Sequence, residues 1–97
     1  YSNGNQVIKL TAQFTNQSTL MITYMDLSGK SRLVEMDVST SSKTFNQRSY
    51  VVKANKTHSE TYSINVSNAS KVTIMLYPHT STKPNSGYIG PYKAILQ

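Results

Sequence analysis

The sequence contains no cysteine and no tryptophan, and only four of its 97 residues are acidic. The absence of cysteine excludes disulfide scaffolds, thiolate metal ligands and cysteine nucleophiles. It also weighs against a small secreted animal domain, because such domains usually rely on disulfides to supplement a limited core. Exported β domains of microbes more often manage without them, so the composition favours a microbial exported protein.

Long apolar runs are missing too. No stretch of about 18 apolar residues is available for a membrane-spanning helix, and no signal peptide is recognisable. The chain starts at Tyr1, which fits either a signal peptide already removed or a boundary within a longer protein. Charged residues make up only 14% of the chain, against about 25% in an ordinary soluble domain. A surface dominated by Ser, Thr, Asn and Tyr is typical of secreted and surface-displayed β proteins.

The residues that are present predict an ordered chain. Seven tyrosines, two phenylalanines and many β-branched residues are spread over its length, whereas disordered chains lack both types. A chain of this size normally forms one core, so residues 1–97 are predicted to be a single domain.

Apolar residues alternate with polar ones along most of the chain, which is the signature of β-strands, and no segment has a helical period. About seven strands at this spacing predict an all-β, antiparallel β-sandwich. Both an immunoglobulin-like and a jelly-roll-like topology remain open, because alternation does not reveal strand order. The predicted strands are residues 7–14, 19–27, 32–38 and 45–54, two arms of a hairpin within 61–77 with Ser67–Lys71 as its loop, and 92–96.

One predicted strand is apolar on both faces. In residues 19–27, Leu20 and Ile22 point one way while Met21 and Met25 point the other, which suggests cover by a loop or by a neighbouring molecule. Strands close to a chain end, such as 6–14 and 92–97, can also pair with the sheet edge of another subunit. A homo-oligomer is therefore a further prediction.

The inventory of reactive groups argues against an enzyme. Glu35 and Asp37 share one face of a predicted strand, yet acid–base hydrolysis needs two carboxylates flanking a cleft, and a small sandwich offers little cleft. A solvated strand face beside Arg32 explains them better. His58 lies near Glu60, but no nucleophile or third ligand accompanies them. We expect no catalytic residue, no metal and no cofactor.

The net charge is +6, carried by scattered basic residues. They do not interleave densely with aromatic residues on any element, so no nucleic acid is expected as a partner. Solubility alone explains the charge, and attraction to an anionic surface polymer is the functional alternative.

Four Asn residues match the glycan-acceptor pattern in predicted loops or on outward strand faces. Chance supplies several matches in a chain so rich in Asn, Ser and Thr, so glycosylation is a possibility rather than an expectation. The four are Asn16, Asn55, Asn65 and Asn68.

The polar connection 78–91 is the best candidate for a binding surface, because long connections in compact domains tend to be functional. Exposed tyrosine rings can stack on sugar rings while polar neighbours fix their orientation. The alternative is that Tyr88 and Tyr92 merely cover the end of the core. The predicted binding residues are His79, Lys83, Asn85, Tyr88, Tyr92, Lys93 and Arg48.

The sequence therefore predicts a secreted or surface-exposed, non-catalytic binding module for a polysaccharide or an anionic cell-surface polymer. One alternative is a structural subunit of an extracellular fibre, coat or biofilm matrix that assembles by strand exchange. The other is a small secreted toxin or inhibitor that presents the 78–91 segment, with its flanking prolines, to a target protein.

Overall fold

The structure, a computed structural model, describes residues 2–4 and 7–96. Within these ranges the chain forms eight strands and one short 3-10 helix, and no helix there has the length and apolar character needed to cross a membrane. The strands are β1 (Ser2–Gly4), β2 (Ile8–Asn16), β3 (Thr19–Asp26), β4 (Arg32–Ser39), β5 (Arg48–Val52), β6 (Thr57–Ser63), β7 (Thr73–Pro78) and β8 (Tyr92–Ile95), and the helix is Val66–Lys71.

The strands build two antiparallel sheets. The first has the order β1-β2-β3-β6 and the second the order β5-β4-β7-β8. The predicted mostly-β chain with antiparallel sheets is thus confirmed. Because β2 pairs with both β1 and β3, the first long strand lies inside its sheet, whereas β6, β5 and β8 are edge strands.

One buried cluster lies between the sheets and receives side chains from both. The apolar residues that alternate along β3 and β4 are buried, as the alternation indicated, and they are Leu20, Ile22, Tyr24, Val34, Met36 and Val38. Full burial of an aliphatic side chain of this size stabilises a fold by about 1.5–3 kcal/mol. From the first sheet the cluster takes Ile8, Leu10, Ala12, Leu20, Ile22, Tyr24 and Tyr62, and from the second Val34, Met36, Val38, Val52, Ile74, Leu76 and Ala94.

The predicted hairpin within residues 61–77 is wrong. Its first arm, β6, pairs with β3 in the first sheet, while β7 pairs with β4 in the second. The 3-10 helix carries the chain across, and the Asn65 side chain caps it by accepting a hydrogen bond from the Ser67 N–H at 2.9 Å. Val66, in the predicted first arm of the hairpin, lies in this helix instead and is 44% exposed. Alternation marks strands but does not say which sheet each one joins.

Two further boundaries differ from the prediction. Strand β6 starts at Thr57, four residues before the predicted hairpin segment 61–77, and β5 occupies only Arg48–Val52 of the predicted strand 45–54. The start of β6 was not predicted because two of its inward positions, His58 and Glu60, are polar. The sequence there does not alternate between apolar and polar residues. Polar residues fit these positions because β6 is an edge strand, and inward-pointing charges protect an edge from pairing with other chains.

The inward polar residues of the two facing edges interlock. We call this set, Arg48, Tyr50, His58, Glu60 and Tyr62, the edge seam. The Arg48 guanidinium lies 3.9 Å from the centroid of the Tyr62 ring, and the rings of Tyr50 and His58 stack at 3.8 Å. Arg48 Nη1 lies 3.5 Å from Glu60 Oε2. Since Arg48 and Tyr50 belong to β5 and the others to β6, the seam joins the two sheets.

A buried ion pair also connects the two sheets, between the end of β3 and the start of β4. Asp26 ends β3, Arg32 begins β4, and the Arg32 guanidinium donates to the Asp26 carboxylate. Arg32 Nη1 also donates to the His79 carbonyl at 2.9 Å, and the Ser28 N–H donates to Asp26 Oδ1 at 2.7 Å. Burial disfavours the ionised carboxylate, but the hydrogen bonds from Ser28 and Arg32 outweigh it, so the pKa of Asp26 is lowered.

Candidate functional site

A groove lies on the outer face of the second sheet. Alternation along β4 turns Glu35 and Asp37 away from the core, and Tyr77 is the register partner of Glu35 on β7. The connection 79–91 folds back over this face. The groove has a volume of about 630 Å³, within the usual ~300–1,000 Å³ of small-molecule sites. We call it the tyrosine groove, lined by Glu35, Asp37, Gln47, Tyr77, Tyr88, Gly90 and Pro91.

The connection that forms one wall of the groove is held by backbone hydrogen bonds. The Thr80 N–H donates to the Gly87 carbonyl at 2.7 Å, and the Ile89 N–H donates to the Pro78 carbonyl at 2.9 Å. His79 and Tyr88 form an isolated antiparallel bridge. The wall is therefore fixed by its own pairing, which lowers the entropic cost of binding.

His79 anchors this connection from beneath. Its ring is almost fully buried, and Nδ1 lies 2.9 Å from the Ser86 carbonyl oxygen, so Nδ1 carries a hydrogen. Nε2 lies 3.3 Å from Glu35 Oε1 but forms no hydrogen bond with any described residue. The ring also packs 4.3 Å from that of Tyr88. His79 thus positions the groove but does not present its ring to a ligand.

Tyr88 is the exposed aromatic residue of the groove, with 52% of its surface accessible. Its hydroxyl donates a hydrogen bond of 3.0 Å to Glu35 Oε2. This bond raises the pKa of the Tyr88 phenol, because ionisation would break it and place a second negative charge beside Glu35. The edge of the ring approaches Tyr77 at a centroid distance of 6.0 Å. An apolar ring is therefore held open to solvent in one orientation.

The two carboxylates in the groove differ in their contacts with other side chains. Glu35 is contacted by Tyr88 and by His79. Asp37 has no hydrogen bond or ion pair to any side chain in the described part of the chain. Half of the four acidic residues of a basic chain thus line one groove, which suits a neutral or cationic ligand better than an anionic one.

The predicted aromatic and histidine residues separate in the structure. Tyr88 lies in the tyrosine groove and His79 directly behind it. Tyr92, on β8, is half-buried and packs against the core, as the core-cover alternative had it. The two tyrosines predicted to act together therefore face different sides of the second sheet.

The predicted polar contacts do not gather at the groove. Lys83 and Asn85 are exposed in the connection, and Lys93 is exposed on β8 opposite Met75 in the register. Arg48 belongs to the edge seam. Four residues that line the groove were not predicted as binding residues, namely Glu35, Asp37, Gln47 and Tyr77. Gly90 and Pro91 lie within the predicted connection 78–91. An outward tyrosine at the end of a strand was a usable signal for Tyr77, but its place beside Glu35 depends on strand order.

The glycan-acceptor residues lie at or near the surface. Asn16, Asn55 and Asn65 are exposed and Asn68 is half-buried. The oxygen of the Asn16 side chain accepts from the Ser18 N–H at 2.9 Å. Glycosylation stays a prediction at all four.

Within residues 2–4 and 7–96, no group of three or more His, Asp or Glu side chains is arranged to hold a metal ion. Comparisons with protein-family models, with curated proteins and with solved structures find no match to this chain.

Proposed function

We propose that this chain is a secreted or cell-surface, non-catalytic binding domain whose tyrosine groove takes a neutral glycan. The observation that supports this most is the exposed Tyr88 ring, fixed by its 3.0 Å hydrogen bond to Glu35. A fixed aromatic ring offers a flat apolar surface at low entropic cost. Asp37 and Gln47 flank it with groups that accept and donate hydrogen bonds, as sugar hydroxyls require.

The charge of the groove favours a neutral glycan over an anionic polymer at this site. Glu35 and Asp37 would repel a carboxylate or sulfate, and none of the residues that line the groove is basic. The net charge of +6 is carried elsewhere on the surface.

We further propose an immunoglobulin-like sandwich. In the constant-type form of that fold the first, second, fifth and fourth strands form one sheet and the third, sixth and seventh form the other. The neighbours β2-β3-β6 and β4-β7-β8 follow this pairing, whereas β5, the fourth of the seven strands, joins β4 in the second sheet instead of β6 in the first. The predicted seven strands correspond to β2 through β8.

The alternative of a strand-exchanging structural subunit receives some support from β8, an edge strand with Ile95 47% exposed, and from the half-buried Met21 and Met25 on the outer face of β3. It receives none from β2, which lies inside its sheet. The toxin or inhibitor alternative is weakened because the connection 79–91 packs on its own sheet through His79.

The test is a screen against neutral oligosaccharides, followed by calorimetric titration of the best binder. Tyr88→Ala is expected to weaken binding about tenfold or more, as loss of a central aromatic contact does, and Asp37→Asn several-fold. Val51→Ala is the matched control, since Val51 is 51% exposed on the same outer face but outside the groove. Equal affinity of Tyr88→Ala and Val51→Ala would overturn the proposal, as would the absence of any neutral binder.

A further inference from the structure

A second cavity lies on the β4–β5 connection. Its lining is basic, whereas that of the tyrosine groove is acidic. Its volume is about 500 Å³, and it is lined by Lys43, Thr44, Phe45, Asn46 and Arg48. Two of these five residues are cationic and none is acidic. The remaining lining offers a hydroxyl, an amide and an aromatic ring.

Both cations are held by aromatic rings. Lys43 Nζ lies 4.5 Å from the centroid of the Phe45 ring, and the Arg48 guanidinium lies 3.9 Å from that of Tyr62. The two rings meet edge to face at 5.3 Å. Lys43, Phe45, Tyr62 and Arg48 thus form one continuous row, and cation–π contacts restrain both charges.

The backbone that carries Lys43 is also fixed. The Thr40 N–H donates to the Lys43 carbonyl at 2.7 Å, and the Lys43 N–H donates to Thr40 Oγ1 at 3.1 Å. The Phe45 N–H donates to the Val38 carbonyl at 3.0 Å. The cavity is therefore organised before any ligand arrives, which reduces the cost of binding.

Arg48 is only partly engaged by its neighbours. Its Nη1 donates to the Thr61 carbonyl at 3.0 Å and forms an ion pair of 3.5 Å with Glu60 Oε2. The other guanidinium N–H groups have no partner in the described ranges, and an arginine has five such donors. Lys43 pairs with no carboxylate among the described residues. The unpaired Lys43 and an Arg48 partly neutralised by Glu60 thus face a cavity with no acid among its described lining residues.

We propose that this cavity binds one oxyanion, the carboxylate or sulfate group of an acidic saccharide. The arginine presents a planar fork that matches either group, the lysine adds a compact charge, and the Phe45 ring offers an apolar surface for the sugar. The proposal does not depend on the tyrosine groove, whose charge has the opposite sign.

The test is to titrate the isotope-labelled protein with sodium sulfate and, separately, with sodium glucuronate, and to record the amide chemical shifts by NMR. The ionic strength is held constant, and sodium chloride is the blank. We expect saturable shifts of the Thr44 and Asn46 amides. Lys43→Gln should raise the dissociation constant about tenfold, which corresponds to ~1.4 kcal/mol. Lys53→Gln removes the same charge from an exposed residue outside the cavity and should bind as the wild type does. Tyr88→Ala should also leave the dissociation constant unchanged.

Saturation by sulfate alone would show that the cavity selects a sulfate group, and saturation by glucuronate alone that it selects a carboxylate carried on a sugar. Shifts that rise linearly, that chloride reproduces, or that Lys43→Gln and Lys53→Gln weaken equally would overturn the proposal. Both lysines are exposed, so either variant is expected to fold.

Discussion

Replacing Asp26 by Asn tests the buried ion pair that links the two sheets. The side chains of Asp26 and Arg32 are 0% and 5% exposed. Asn keeps the size of the side chain but removes its charge, so the Arg32 guanidinium stays buried opposite a neutral amide. Two of its hydrogen bonds survive, to the His79 carbonyl at 2.9 Å and to Ser28 Oγ at 3.2 Å.

Removing one partner of a buried ion pair typically costs about 3–5 kcal/mol. The surviving hydrogen bonds of Arg32 place the expected loss near the lower end, at about 3 kcal/mol. Domains of this kind have about 5–15 kcal/mol of stability in total. With a urea slope of ~1.5 kcal/mol per molar, the unfolding midpoint should fall by about 2 M.

The pH dependence follows from the lowered pKa of Asp26. Because the folded-state pKa lies below the ordinary 3.8, the carboxylate contributes stability at every pH above that value. The contribution is lost as the pH falls through the lowered folded-state pKa. The difference in unfolding free energy between wild type and Asp26→Asn should therefore be constant near neutrality and should narrow as the pH falls below the ordinary value of 3.8.

Urea unfolding followed by far-UV circular dichroism, at neutral pH and under acid, measures both effects. Asp37→Asn is the matched control, because Asp37 has no charged partner in the described part of the chain and its loss should change stability by no more than about 0.5 kcal/mol. The double variant Asp26→Asn/Arg32→Gln should lose less than the two single losses combined. If Asp26→Asn and Asp37→Asn unfold with the same free energy, the ion pair does not stabilise the fold as argued.

Two other matched pairs test the core and the groove wall. Ile74→Ala should lower the free energy of unfolding by about 2–5 kcal/mol. Ile95 is exposed on the neighbouring strand, so Ile95→Ala should lower it by less than ~0.5 kcal/mol. Equal decreases in melting temperature would contradict the assignment of the core face. Gly90→Ala would place its Cβ 2.9 Å from Tyr92 Cδ2 and 3.0 Å from Tyr92 N, so we expect a loss of about 1–3 kcal/mol. Gly87→Ala is the control, because its Cβ would have no neighbouring atom within 4 Å. If both glycine variants lower the melting temperature equally, the contact with Tyr92 is not the cause.

Much of the fold was predictable because inward and outward residues alternate on strands whose two faces meet different surroundings. The alternation of Val34, Met36 and Val38 marked the inward face of β4 correctly, and the same pattern located β3 and β7. It failed for β6, whose inward positions carry polar residues of the edge seam. It also failed to separate β6 from β7, because nothing in a run of alternating residues specifies the partner strand.

The candidate site was predictable only in part. Tyr88 stood out as an aromatic residue in a long polar connection, and Glu35 and Asp37 were correctly placed on an outward face. Their meeting depends on β4 pairing with β7 and on the connection folding back over that pair. The surroundings of Arg48 could not be predicted for a related reason, since its stacking on Tyr62 joins strands of two different sheets.

The connection 79–91 has a fixed base and an exposed tip, residues 82–85, and this difference is useful for protein engineering. His79 and Ser86 hold its base through the contact between Nδ1 and the Ser86 carbonyl. The side chains of residues 82–85 are all exposed and contribute nothing to the buried cluster. A combinatorial library at these four positions should therefore retain the scaffold, and selection from it should yield variants with new ligand preferences beside an unchanged Tyr88.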